Sequence, residues 1–347
     1  MSVIVLQALK AMKIAQSAQN CENRFISNGI GYAKFSSRSH EQIVQIGLDL
    51  CMASTAIRLS ELSFGVIINT SSGGCDSGSE AELLSVLGSA GVTECKTWCG
   101  EADQMERSFA EAAVQKLEVL IVLGGDGTIR TAAEACSRRG MYLLPLPGGT
   151  MNMLPRALYG EVSWENALKN TLADPVIKIL SGGRVEDNQF FVAAIIGAPA
   201  LWVEARESLR EGDIVDAIKT GTFAFQEMFD AKIQYFISSE TNGEAEVVAV
   251  ICPLISEQMA ESEQALEAAF INVENAIELI GLATAAAVGK WRDAQKISVS
   301  KTKRVTVQSS KDIPILLDGE RVKVGRKAEI SFVPSAVNVI VPAQRVS

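Results

Sequence analysis

From residue 63 onward the hydrophobic pattern is regular. Short apolar runs without polar alternation, "FGVIIN", "EVLIVL" and "MYLLPLP", are separated by segments with apolar residues at helical spacing, "EAELLSVLGSA", "EADQMERSFAEAAVQKL" and "IRTAAEACSRRG". Continuous apolar runs suit strands buried on both faces, and the 3.6-residue period suits helices that cover them. With "TECKTWCG" as a further short strand and "MLPRALYG" opening another helix, the order is β-α-β-α-β-α-β-α. That order predicts an α/β domain built on a parallel sheet. The texture changes near residue 176. "GRVEDNQFFVAAIIG" predicts a hairpin, and "AKIQYFISS", "EAEVVAVICPL", "AAFINV", "KISVSKTKRVTVQ", "PILLDGERV", "AEISFVP" and "AVNVIVP" predict strands. Helical patterns near 200–229 and 274–292 interrupt them. The sum is a mainly antiparallel β-sandwich. The predicted organisation is an N-terminal, partly helical extension over residues 1–62, an α/β domain over 63–175 and a β-rich domain over 176–347.

Composition narrows the chemistry. The 347 residues are 48% hydrophobic and 21% charged, ordinary values for a globular chain of about two domains. The net charge of −9 argues against a nucleic-acid partner, which calls for a basic surface. The seven cysteines are irregularly spaced, and Cys95 and Cys99 form the one close pair without histidines beside it. A zinc site does not fit, and reduced thiols in a cytoplasmic protein do. The one histidine, His40, lies outside every motif, so proton transfer falls to a carboxylate rather than to a Ser-His-Asp or Cys-His set. No apolar run reaches the roughly 18 residues that span a bilayer. "MSVIVLQALKAMKIAQSAQN" lacks basic residues ahead of its apolar stretch and predicts a short helix rather than a signal peptide.

Three glycine-rich loops each follow a predicted strand: "NTSSGG", "GGDGT" and "PGGTMN". In a parallel sheet such loops gather at the carboxyl edge, where ligands bind. Glycines let backbone N–H groups converge on a phosphate, and a following helix N-terminus adds positive potential. Asp126, between the glycines of "GGDGT", would repel that phosphate unless a metal ion lies between them or a hydroxyl proton must be removed. Either explanation points to phosphoryl transfer with Mg²⁺. Taken alone, "GGDGT" is equally a tight turn whose Asp or Thr caps the next helix. It is neither a Walker A loop, having no Gly-Lys-Ser/Thr, nor a dinucleotide fingerprint, since Arg130 stands where the last glycine would be.

"GGDGT" and, one β-α unit later, "PGGTMN" together resemble the diacylglycerol kinase catalytic-domain family, which includes bacterial lipid kinases, sphingosine kinases and ceramide kinases. The resemblance runs over about residues 63–345. It implies a nucleotide site made of Asn69, Ser71, Ser72 and Gly73 in the first loop, Gly124, Gly125, Asp126, Gly127 and Thr128 in the second, and Gly148, Gly149, Thr150 and Asn152 in the third. "KTWCGEA" resembles the family's Thr-containing turn and puts Thr97 near the nucleotide. "LLDGERV" resembles the family's Asp-Gly-Glu and brings Asp318 and Glu320 back to the cleft; without that context it is a two-residue hairpin turn. The implied activity is transfer of the γ-phosphoryl group of ATP to a lipid hydroxyl, diacylglycerol- or sphingoid-like. Asp126 would hold Mg²⁺, and either Asp126 or Glu320 would take the hydroxyl proton.

The sequence departs from the family's pattern in places. Thr70 replaces a proline, Arg130 and Thr131 replace an Asn-Glu pair, and Phe225 in "GDIVDAIKTGTFAF" falls where bacterial members place the tyrosine of a structural Mg²⁺ site. "FFVAAIIGAPALWV" is either the apolar pocket for the lipid or plain core strand. The implied partners are a lipid substrate and the membrane, by peripheral contact, with room for a homodimer. No basic amphipathic helix supports the membrane contact. Two alternatives stay open. An NAD kinase-like enzyme shares "GGDGT", although "PGGTMN" fits it poorly. A nucleotide-binding regulatory protein without turnover would fit the Arg130/Thr131 departure.

Overall fold

The computed structural model describes residues 59–76, 78–197, 232–238, 240–272 and 297–343. His40, Phe225, most of the predicted N-terminal extension and the helical patterns near 200–229 and 274–292 lie outside them. The described residues belong to one compact unit, Arg58–Ser347.

The apolar runs become β1 (Phe64–Asn69), β3 (Val119–Gly124) and β4 (Tyr142–Pro147), with β2 (Cys95–Gly100) at the edge; the four are parallel in the order β2-β1-β3-β4. Every residue of β1 and β3 is buried, as continuous apolar sequence requires, whereas edge strand β2 is only partly covered. The helices are α1 (Ser79–Ser89), α2 (Met105–Ala113), α3 (Asp126–Arg139), α4 (Met153–Tyr159) and α5 (Trp164–Ala173). Gly140 stops α3 in the left-handed conformation, with φ 68°. The second predicted helix is shortened: a 3₁₀ turn, Ala102–Gln104, takes its first residues, and α2 ends at Ala113. Helix α5 was not singled out in the pattern, although it carries a start signal. Ser163 accepts the Asn166 N–H at 3.4 Å ahead of it.

The sheet does not stop at β4. It continues through β5 (Pro175–Val185), β6 (Asn188–Phe190), β8 (Ile233–Phe236), β9 (Asn242–Ala245), β13 (Arg304–Gln308) and β16 (Lys327–Pro342) into an antiparallel half, ten strands in all. A second, six-stranded sheet consists of β7 (Ala193–Gly197), β10 (Val247–Ile251), β11 (Leu266–Ile271), β12 (Ile297–Thr302), β14 (Pro314–Leu317) and β15 (Glu320–Lys323), in the order β12-β11-β10-β7-β14-β15. One buried cluster joins the two sheets: Phe190, Val305, Val307 and Ile330 from the first meet Ile196, Val248, Phe270 and Leu317 from the second. The fold is thus an N-terminal α/β layer with a mostly parallel sheet, followed by an antiparallel β-sandwich.

Three predicted strands are cut differently from the pattern. "KISVSKTKRVTVQ" breaks at Lys303, so that β12 and β13 go to opposite sheets. The hairpin in "GRVEDNQFFVAAIIG" is β5–β6, after which the chain crosses over and enters the second sheet as β7. "AEISFVP" and "AVNVIVP" form the single strand β16, irregular between Val333 and Val337, with Ser335 at φ 51°. Its first residues alternate buried and exposed against β13. The later ones are almost continuously buried, where it pairs antiparallel with β5 and parallel with β4. Both halves have strands beside them, β13 and β5 for the first and β5 and β4 for the second, and helices α3 and α5 pack on the strand.

Opposite Phe190 in the β5–β6 pair stands Gly183, and a methyl group there would overlap the buried Phe190 ring. Gly183→Ala is expected to cost about 1–3 kcal/mol of stability through overpacking, read as a lower urea midpoint at unchanged slope.

Candidate functional site

The three glycine loops meet at the carboxyl ends of β1, β3 and β4, joined largely through their backbones. Gly74 N–H donates to the Gly148 carbonyl at 2.8 Å, and Gly148 N–H to the Gly124 carbonyl at 3.0 Å. Gly125 N–H donates to Ser72 Oγ at 2.9 Å, and Asn69 Nδ2 to Thr128 Oγ1 at 2.9 Å. A Cβ at Gly148 would lie 2.8 Å from Gly124 N, and one at Gly149 2.7 Å from Gly125 Cα. These glycines therefore let the loops pack against one another. Gly73 has nothing within 4 Å of such a Cβ, and Gly125 nothing nearer than 3.7 Å, so these two border open space. The first-turn N–H groups of α3, which lack intrahelical acceptors, lie beside that space, an arrangement that can receive an anion.

Asp126 opens α3 and reaches across to the third loop. One oxygen accepts Asn152 N–H at 2.9 Å and the other Met153 N–H at 2.6 Å. Asn152 holds φ 51°, while its side chain accepts Gly149 N–H at 2.7 Å and donates to the Gly149 carbonyl at 2.8 Å. The carboxylate thus caps α4, an anion at a helix N-terminus. Burial raises its pKa above the usual range, against the pull of those N–H groups and of the Arg156 charge. The two oxygens offer about four lone pairs, so capacity for a cation or a hydroxyl proton remains beside the Asn152, Met153 and Asp126 N–H groups. Arg156, on the first turn of α4, is a cation beside the site that the sequence reading did not single out; nothing in "MLPRAL" marks it as more than a surface helix residue. Thr150 is exposed in the third loop. Ser71 Oγ accepts Ala102 N–H at 3.1 Å and ties the first loop to the turn after β2.

The hairpin β14–β15 turns at Asp318 and Gly319, with φ 49° and 86°, as the Asp-Gly pair predicts. It does bring Glu320 to the loops: a Cβ on Gly127 would lie 3.1 Å from Glu320 Oε1 and Cδ. Asp318 points elsewhere. It is buried, and its carboxylate accepts Phe191 N–H at 2.8 Å and Val192 and Ala193 N–H at 2.9 Å. Those are the residues at which the chain leaves one sheet for the other and loses its ladder partners, and Asp318 supplies the missing acceptors. Its carboxylate is thus engaged by three backbone donors in this structure. Thr97 is also displaced from expectation: it lies within β2, paired with Val66, three residues before the strand ends at Gly100. The turn that "KTWCGEA" suggested forms only after Gly100.

Among the described residues no three His, Cys, Asp or Glu side chains converge as a metal cage. The described cysteines, Cys75, Cys95, Cys99, Cys136 and Cys252, are free thiols. No described helix is long and apolar enough to cross a membrane. A groove of about 920 Å³ bordered by Phe64, Thr93, Cys95 and Glu118 opens at the amino ends of the parallel strands, away from the loops.

The diacylglycerol kinase catalytic domain matches residues 63–182. A curated relative from Bacillus subtilis (strain 168), a diacylglycerol kinase, is 27% identical over 272 residues, covering 69% of this chain and 83% of its own. Two solved structures from Bacillus anthracis str. Sterne, one of a protein assigned as a diacylglycerol kinase and one of a diacylglycerol kinase, have TM-scores of 0.61 and 0.59 at 17% and 16% identity. Each covers 82% of this chain and 98% of its own, and the likeness shows a shared fold.

Burial pushes the Asp318 carboxyl up to about 6, against its three N–H partners and the Arg130 charge. That is above the value near 3.9 of an unfolded Asp, so the folded state binds this proton more tightly. This group's contribution to stability therefore falls as pH rises from about 4 to about 6 and is level above. Asp318→Asn is expected to remove that dependence and to leave the Phe191 N–H facing an amide NH₂, costing about 1–3 kcal/mol in unfolding experiments at neutral pH.

Proposed function

For a chain that belongs, through residues 63–182, to the diacylglycerol kinase catalytic-domain family, we propose phosphoryl transfer from ATP to the hydroxyl of a lipid, diacylglycerol- or sphingoid-like. The observation that carries this reading is the meeting of Glu320 with Gly127 in a loop cluster otherwise made of backbone donors. Phosphoryl transfer asks for such a set: donors that orient phosphate, and a carboxylate within reach of the incoming hydroxyl.

The residues fit Mg²⁺-ATP. Asp126 offers one carboxylate, and Mg²⁺ ordinarily completes its octahedron with phosphate oxygens and water rather than with a full protein cage. When bound, the ion would neutralise charge developing on the transferred group. The α3 N-terminus and the open face at Gly73 and Gly125 orient the phosphates, and Ser72, Asn69 and Thr128 hold the loops in register. The exposed carboxylate of Glu320 takes the acceptor proton in this scheme; Asp126, already engaged by two N–H groups, is the second candidate base. The acceptor would approach from the β-sandwich side, at the membrane surface and without insertion.

Total lipid extract incubated with labelled ATP is expected to give a labelled lipid, identified by mass spectrometry. Label on NAD, or on no acceptor, defeats the reading. Glu320→Gln is expected to lower kcat by about 100-fold with little change in Tm. A change in Tm alone would return Glu320 to a turn residue. Asp126→Asn is expected to abolish transfer, and also to loosen residues 149–153 in hydrogen exchange, because an amide oxygen can accept only one side of the N–H pair.

A further inference from the structure

Arg130 lies one turn beyond Gly127 on α3, and its side chain is only 16% exposed. Its Nη1 is 3.7 Å from Glu134 Oε1, too long for a hydrogen bond, and its Nε and Nη1 are buried without hydrogen-bond partners. The same Glu134 oxygen accepts Gln189 N–H at 3.1 Å, and Glu134 Oε2 is 3.3 Å from Arg138 Nη2. Gln189 in turn precedes by two residues the Phe191 N–H that Asp318 holds at 2.8 Å. Arg130 also lowers the Asp318 pKa by its charge. A buried guanidinium with empty donors is costly. Here it stands beside the Glu134 carboxylate of its own helix, and its charge reaches Asp318, two residues from Glu320.

We propose that Arg130 is a positioning residue for the transfer: it fastens α3 to the segment 189–193 and the hairpin bearing Asp318, and so fixes Glu320 against Gly127. The proposal rests on the kinase reading for its kinetic consequence but not for its structural one. The link runs along a chain of contacts. Glu320 touches the first turn of α3, Asp318 grips 191–193, and Glu134 grips 189 from the third turn of the same helix. Arg130 sits on the second turn, inside that closed circuit, where its positive charge offsets the two carboxylates that close it. Without the charge, the partly buried Glu134 keeps only Arg138 as a cation, Asp318 remains a buried anion, and the hairpin loses its fixed distance from the phosphate loop. The nucleotide loops are held by other bonds, so ATP binding is not expected to change.

The test compares the full-length protein with Arg130→Met, which keeps the aliphatic stem without the charge, and Arg130→Lys, which keeps the charge without the planar fork. Three quantities are measured: ATP binding by calorimetry, transfer from ATP to diacylglycerol in detergent micelles, and hydrogen exchange across the chain. In R130M, ATP affinity is expected within about twofold of wild type while kcat falls at least tenfold. Exchange should quicken in peptides spanning 188–193 and 316–322 and stay unchanged in β1, β3 and β4. R130K should recover most of the lost rate. A wild-type kcat in R130M overturns the proposal, as does a loss of ATP affinity with uniform loosening of the sheet. If R130M does not fold, the uncharged but polar Arg130→Gln decides: faster exchange confined to the two peptides with at least a tenfold slower rate upholds the proposal, and wild-type exchange and rate overturn it. If the wild-type protein transfers nothing to the micelles, the kinase reading is at fault, and the exchange arm still judges Arg130.

Discussion

The architecture depends on backbone N–H groups that secondary structure cannot satisfy, and on two carboxylates that satisfy them. Asp318 takes three such groups where the chain passes from one sheet to the other, and Asp126 takes two where α4 begins. Both sites are places where a ladder or a helix has no acceptor to offer, and leaving the donors bare would cost roughly 1–3 kcal/mol each. Because both carboxylates reach across to distant chain segments, the same bonds that satisfy the backbone also assemble the cleft. Asp126 joins the second glycine loop to the third. Asp318 holds the hairpin whose next polar residue, Glu320, faces the second loop.

The glycines have two functions that are easily merged into one. Gly148 and Gly149 are small because Gly124 and Gly125 lie against them. Gly73 is small beside open space, where a phosphate would need it to be. A glycine-rich loop cluster thus has an inner set that allows packing and an outer set that allows binding. Substituting the inner set damages the arrangement of the loops before it touches a ligand.

Much of this was legible in the sequence. Continuous apolar runs gave β1, β3 and β4, alternation gave β13, and the Asp-Gly pair gave the turn before β15. The three loops were legible as a set because strand order places them on one edge, and Glu320 joined them only through the resemblance of "LLDGERV" to a family motif. The rest depended on distance in space. Nothing local distinguishes Asp318, as the acceptor for Phe191, Val192 and Ala193, from Asp318 facing a ligand, since the partners are about 125 residues away. Thr97 was read into a turn through the resemblance of "KTWCGEA" to a family motif, whereas the strand carries it and the turn follows Gly100. The break at Lys303 was invisible because β12 and β13 share one alternation while facing different sheets. Arg130 read as a departure from a motif, and its burial follows from the sandwich packing over α3, which periodicity does not report.

Strand β16 has a consequence for how the molecule is made. Asn338 pairs with Tyr142 in the parallel half, so the open flank of β4 has no neighbour on that side until residues almost 200 positions later are available. At about 5–20 residues per second, a ribosome takes roughly 10–40 s to supply them. For that interval the nascent chain carries a nearly finished α/β layer in which the flank of β4 is an unpaired strand edge. Completion is governed by a contact of very long sequence separation, which slows folding. The hairpin that carries Glu320 and the strand that seals the edge both come from the same late segment, so the protein gains its candidate base and its protection against aggregation in one step of synthesis.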